Sequence, residues 1–288
     1  MKGNYLLSDA IISPLGFGTT ENLKAIRNGE SALKIHHNSK FFQDGYYAGV
    51  ISEEILNEAF KTLGDPNAYT KLEKMMILTI HQVLEQEENL NIKETGLVIS
   101  TTKGNIDLLG TNKFSKYRIY LWKIGKILAD FFDFDKEPVI VSNACISGAL
   151  AIKTANDLIK AGRFSKAIVV GGDLVSEFVL SGFQSFQAIG PKPCRPFSND
   201  REGVSLGEAA TAILIGPKNS KKKPQIAYLD AITANDANHI SGPSRTGEGL
   251  YLAISRLLNR QNIHSEDINF LSAHGPATVF NDEMDSIA

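Results

Sequence analysis

Cysteine is scarce in this sequence, with two in 288 residues, Cys145 and Cys194. Two thiols build no disulfide framework, and no His/Cys spacing matches a zinc site, so neither cross-links nor a metal is expected. Charge of one sign is lacking too: 30 Lys and Arg face 32 Asp and Glu, for a formal net charge of -2. That balance gives no electrostatic reason to expect nucleic acid or an anionic membrane as a partner. No apolar run reaches the roughly 20 residues a bilayer requires, and no early stretch joins a basic region to a cleavage site. The expectation is a cytoplasmic protein with free thiols and no membrane insertion. What remains is an ordinary globular composition, 43% hydrophobic and 22% charged, long enough for one large domain or two moderate ones.

The stretch that organises the chain is 137–173, EPVIVSNACISGALAIKTANDLIKAGRFSKAIVVGGD. Residues 138–141 read as a strand, and Ser142, Asn143, Ala144 and Cys145 as a turn of small residues. Leu150, Ile152, Ala155, Leu158 and Ile159 then follow at helical spacing. Gly162 supplies a left-handed helix end, and 167–170 forms a second strand. The pattern is a βαβ unit with Cys145 at the first turn of its helix. A helix start leaves N–H groups unpaired at the positive end of the dipole, which favours a thiolate and can hold an oxyanion. Cys145 as a small buried hydrophobe fits the same residues. This stretch alone leaves both readings open.

Elsewhere the pattern predicts a strand over 5–12 and a helix from Thr20 carrying Leu23 and Ile26, closed by Gly29. Residues 31–69 have weak periodicity and read as a surface excursion with one short helix at 53–63. Residues 70–85 form an amphipathic helix with Leu72, Met75, Met76, Thr79 and Val83 near one face, the methionines as core filler. A β-rich segment follows at 94–102. The helical region 105–131 presents Tyr117, Tyr120, Trp122, Ile124 and Leu128, a surface that suits core, a tunnel wall or an interface. Between 193 and 215, charges gather at Arg195, Asp200, Arg201 and Glu208 ahead of an apolar strand at 210–215. They are expected to pair and order the loop rather than react, with a solvated face as the alternative. Residues 217–224 (PKNSKKKP) read as a linker between a first part, 1–216, and a second, 225–288. The second part should hold strands at 226–233 and 268–272, a helix at 248–259 and another opening at 279. His274 stands at a strand end beside glycine, where a structural histidine and a partner for the thiol are both tenable.

Three segments together, NACISGALAI around Cys145, CRPFSNDREGVSLGEAA from Cys194 and SAHGPATVFND from Ser272, resemble the β-ketoacyl-ACP synthases. The resemblance runs the length of the chain. It implies a thiolase-like fold, two similar α/β halves of layered sheets and helices, with the second half truncated here. By motif position Cys145 is the nucleophile and its N–H half of the oxyanion hole, and His274 assists decarboxylation and stabilises the enolate. Thr278 contacts the pantetheine arm. The implied reaction is a decarboxylative Claisen condensation of an acyl thioester on Cys145 with malonyl-ACP, in fatty-acid or polyketide and polyene synthesis. Acyl carrier protein is the implied partner, its phosphopantetheine carrying the substrates, with no cofactor of the enzyme's own. The implied assembly is a homodimer, or a heterodimer.

Two departures qualify this. Pro276 replaces the first threonine of the family's His-Gly-Thr-x-Thr and offers neither hydroxyl nor N–H, so binding of the carrier arm should be altered. The family's later lysine, second histidine and Gly-Phe-Gly-like loop do not occur, so a portion of a longer enzyme, incomplete and inactive alone, is expected. A non-catalytic chain-length-factor-like partner and a thiolase-type acyltransferase are the alternatives. Chain-length factors usually lose the nucleophile, and thiolases lack the Arg-Pro-Phe to Gly-Glu loop.

Overall fold

The computed structural model describes residues 3–37, 39–219, 225–236 and 244–288. In chain order come strands β1 (Asn4–Ser13) and β2 (Gly16–Phe17), helix α1 (Thr19–Arg27), strands β3 (Lys34–His36) and β4 (Tyr46–Gly49), and helices α2 (Glu53–Phe60) and α3 (Lys71–Glu85). Strand β5 (Thr95–Ser100), helix α4 (Leu121–Phe132), strand β6 (Val139–Val141), helix α5 (Ser147–Lys160), strand β7 (Lys166–Asp173) and helix α6 (Glu177–Ser185) follow. Strands β8 (Leu206–Gly207), β9 (Ala209–Pro217) and β10 (Ile226–Ala227) precede helices α7 (Glu248–Gln261) and α8 (Val279–Ile287). Contacts gather these into two units that interleave along the sequence. The first takes the chain up to Ala32, Gly49–Ser176 and Gly207–Leu229; the second takes Leu33–Ala48, Glu177–Leu206 and Asp230–Ala288. Of the linker expected at 217–224, residues 220–224 lie outside the described residues.

The first unit is a mixed sheet in the order β10-β1-β9-β7-β5-β6, with β2 beside β1. β5 pairs in parallel with β6 and β7, as the connections through α4 and α5 require, while β9 runs antiparallel to β7 and β1. Side chains on a strand alternate between faces, and β5 and β7 bury both. Leu97, Ile99, Ile168 and Val170 enter a core with α2, α3 and α4, whereas Val98, Ala167 and Val169 meet Ala151 and Ala155 of α5 on the other side. Three layers result, with a near-continuous apolar run in each central strand.

α3 departs from the amphipathic helix its sequence suggests. Ten of its residues are buried, on all sides, among them Glu73 and Lys74 as well as both methionines. The helix lies against β1, β7 and β9 and is covered by α2 and α4, so residues 72–80 have no face left to water and only the last turn, ending at Glu85, is open to it. Its buried start is satisfied by a capping box between Thr70 and Glu73. Arg118 then closes a two-pronged pair on Glu73, at 2.8 and 2.7 Å.

The reading of 31–69 as surface is corrected in the same way. Ile51, Leu56 and Phe60 are fully enclosed against α3, too few and too widely spaced to register as a periodic signal. In the second unit β3 and β4 form a hairpin with His36 opposite Tyr46. Two predicted strands also need correcting. The one at 226–233 reduces to β10, which exists through its pairing with β1, and 268–272 forms no strand. A strand is defined by a neighbour's backbone, and Ile268, Phe270 and Leu271 are exposed instead.

Candidate active site

Cys145 occupies a sharp turn between β6 and α5. The helix starts later than its sequence suggests, with Ile146 at the N-cap and Ser147 the first helical residue, so Cys145 precedes the helix rather than sitting in its first turn. The chain reaches it through Ala144, a non-glycine residue at φ 45°. That left-handed conformation turns the backbone sharply enough to leave Cys145 exposed, which removes the buried-hydrophobe reading. Ser147 braces the turn: its hydroxyl accepts the Asn143 N–H at 2.7 Å and donates to the Ala144 carbonyl at 2.7 Å.

Glu208 also lies in the first unit and is 3% exposed. Its carboxylate pairs with Lys71 at 2.5 Å and accepts the N–H groups of Ile51 at 2.9 Å and Val175 at 3.3 Å. It thereby joins α3, the start of the α2 segment and the chain leaving β7.

In the second unit His274 is exposed, on a loop held by α8. Gly275 donates its N–H to Asp285 at 2.9 Å, and Ala277 donates to Asp282 at 3.0 Å. Gly275 has φ 49°, and a Cβ there would stand 2.9 Å from the Phe197 ring, so the position beside His274 suits glycine on both counts. Asp282 is 1% exposed; its other oxygen accepts the Phe197 N–H at 2.7 Å and faces Arg201 at 3.5 Å. Both amide donors, Phe197 and Ala277, are themselves left-handed, at φ 61° and 68°. One buried carboxylate thus ties the charged loop to the His274 loop.

Arg201 further donates to the carbonyls of Ser198 at 2.8 Å and Val279 at 3.2 Å. Arg195 pairs with Asp200 at 2.5 Å on the surface, and the Ser198 hydroxyl, followed by Arg195, holds the Asp200 carboxyl below its ordinary range. Thr278 caps α8, and its hydroxyl accepts from Asn281 at 2.7 Å. From the sequence Ser147 reads only as a small residue that leaves the backbone around the sulfur uncrowded, Asp282 and Asp285 only as part of an opening helix, and Lys71 is not singled out. The available signal for Asp282 and Asp285 was their spacing three residues apart after the histidine loop, which places both on one helix face.

The family model for the β-ketoacyl synthase N-terminal domain matches residues 91–220, and that for its C-terminal domain matches 227–288. The chain belongs to the β-ketoacyl synthase family. Nodulation protein E of Rhizobium leguminosarum bv. trifolii is 35% identical over 153 residues, 51% of this chain and 38% of that protein. The putative mitochondrial 3-oxoacyl-[acyl-carrier-protein] synthase of Schizosaccharomyces pombe is 23% identical across 100% of this chain and 76% of its own length. A solved complex of the ketosynthase ApeO with its chain length factor ApeC, from Xenorhabdus doucetiae, superposes at TM-score 0.83 with 23% identity. That match covers 99% of this chain and 75% of the solved one.

The fold is therefore the thiolase-like α/β fold of the ketosynthases. The chain spans well under half of nodulation protein E and about three quarters of the other two relatives. Within the β-ketoacyl synthase division, Cys145, Arg195, Asp200, Arg201 and Glu208 fall in the N-terminal match, and His274 and Thr278 in the C-terminal one. Among the described residues no cluster of His, Cys, Asp and Glu could hold a metal ion, and no helix is long and apolar enough to cross a membrane.

Proposed function

We propose that this chain carries the acyl-accepting thiol of a β-ketoacyl-[acyl-carrier-protein] synthase acting in fatty-acid or polyketide synthesis. The observation that supports this best is Cys145 itself, exposed on a strained turn ahead of α5 within the matched N-terminal region. In the first half-reaction the Cys145 sulfur attacks the carbonyl of an acyl thioester, and its N–H steadies the resulting oxyanion. The pantetheine thiol leaves with a proton as the acyl-enzyme forms. In the second, malonyl thioester loses CO2 and its C–C bonding electrons become an enolate, which His274 stabilises by hydrogen bonding to the thioester oxygen. That carbanion attacks the acyl-cysteine carbonyl and expels the Cys145 thiolate, yielding a β-ketoacyl thioester. Thr278 borders the path of the pantetheine arm. Arg195, Asp200, Arg201 and Glu208 order the loops and do not react.

Acyl carrier protein is the partner this chemistry calls for, and the enzyme works as a homodimer or beside a chain-length-factor-like subunit. The test is to incubate the chain with an acyl-carrier-protein thioester and map the adduct by peptide mass. Acylation of Cys145 is expected and should be lost in Cys145→Ala. This is the first half-reaction alone and not the complete condensation, for which the chain is expected to be incomplete. An adduct on Cys194, or none, would sink the reading. The likeness to a solved complex that pairs a ketosynthase with a chain length factor supports a second reading, a non-catalytic partner subunit. Such a subunit would leave Cys145 unacylated and release no CO2 from malonyl thioester.

A further inference from the structure

Ser147 is the first residue of α5 and is 4% exposed. Its hydroxyl spans the turn, accepting the Asn143 N–H and donating to the Ala144 carbonyl, both at 2.7 Å. The Ser147 N–H reaches that carbonyl as well, at 3.3 Å. The left-handed conformation of Ala144 is unfavourable for a residue with a Cβ, so the turn relaxes unless something holds it. The bonds fall on two peptide groups of the turn, the one between residues 142 and 143 and the one between residues 144 and 145. The second matters more for chemistry. A trans peptide is planar, with C=O and N–H pointing in opposite directions, so anchoring the Ala144 carbonyl toward α5 fixes the Cys145 N–H in the opposite sense.

We propose that Ser147 is a positioning residue: by holding the Ala144 carbonyl it aims the Cys145 N–H at the oxygen of the acyl group being transferred. This rests on the reading of Cys145 as the acyl acceptor. Ser147 touches neither thioester nor thiol; it acts through the peptide plane between residues 144 and 145.

Acyl transfer develops an oxyanion and alkylation of a thiol does not, which separates an N–H effect from a general disturbance of the turn. In the full chain, acylation of Cys145 by an acyl N-acetylcysteamine thioester is compared with its alkylation by iodoacetamide, with Cys194 alkylation as an internal reference. Ser147→Ala should lower the acylation-to-alkylation ratio at Cys145 by about tenfold or more, as misaligning an oxyanion donor does. Ser147→Thr, which keeps the hydroxyl, should restore the ratio. An unchanged ratio in Ser147→Ala overturns the proposal. So does a Ser147→Thr variant that keeps the parent's thermal midpoint and Cys194 reactivity yet stays as slow as the alanine. Absence of Cys145 acylation in the unsubstituted chain is a different failure, that of the functional reading, and the proposal falls with it.

Discussion

Asp282 shows how much backbone one side chain can govern. Both of its oxygens accept amides from residues in left-handed conformation, and it is almost wholly buried. Asp282→Ala would strand two N–H groups and leave Arg201 facing no carboxylate there, so urea unfolding should show a loss of about 3 kcal/mol. Asp282→Asn keeps an oxygen for one of the amides and should cost less. Parity between the alanine variant and the parent would show that water replaces the carboxylate. The residue was not legible beforehand because an aspartate near a helix start looks like an ordinary complement to the dipole. Cys145 drew attention as a thiol among small residues after a strand, and His274 through its glycine neighbour, although no strand precedes the histidine. Lys74 offers a prediction in pH. It is 3% exposed, and burial lowers its pKa; Lys113 and Lys71 push the same way and Glu53 opposes. The unfolded chain then binds more protons between the lowered value and the ordinary 10.5, so the lysine's penalty is present at neutral pH and fades as pH rises through that window. Lys74→Met should therefore be the more stable form at pH 7, provided Asn57, the acceptor of the lysine's hydrogen bond, finds water, and its advantage should shrink at alkaline pH. An advantage that grows with pH would contradict the assignment.

At the scale of elements, legibility followed the range of the interactions that make each one. α7 and the α5 helix could be read locally, because apolar spacing and a left-handed end are written into a few adjacent residues. β5 and β7 could be read because strands buried on both faces carry unbroken apolar runs. The strand expected at 268–272 could not be checked by local pattern, since its existence depends on a neighbouring backbone. The burial of α3 on all sides over residues 72–80 was likewise hidden, because it depends on α2 and α4 arriving to cover the outer side. Packing between elements also explains Gly96 in β5, which the strand pattern passes over. A Cβ there would fall 2.2 Å from the ring of Phe164, itself 8% exposed, so the glycine makes room for the aromatic. Gly96→Ala should cost about 1–3 kcal/mol in urea unfolding, and adding Phe164→Leu should recover part of that loss. If the two changes were simply additive, the ring would not be what the glycine accommodates.

Across the whole molecule, apolar burial is shared unevenly. Both core clusters belong to the first unit, built on the sheet that ends at the Cys145 turn. In the second unit the buried apolar side chains among the described residues are few: Tyr46, Ala48, Val179, Leu180 and Ala277. α7 buries none of its residues, and Phe270 is 84% exposed. Local opening is easiest where few apolar contacts must be broken, so the two units should differ in protection against hydrogen exchange. Amides of β5 and β7 should exchange only on global unfolding, and those of α7 orders of magnitude faster, in mass-resolved exchange on the intact chain. The loop of His274 should fall between them. Its polar ties to Asp282 and Asp285 replace the apolar packing the unit lacks, and Asp282→Ala should move it to the fast class while leaving β5 and β7 unchanged. Equal protection of α7 and β5 would mean that the second unit gains its order from contacts other than its own buried side chains.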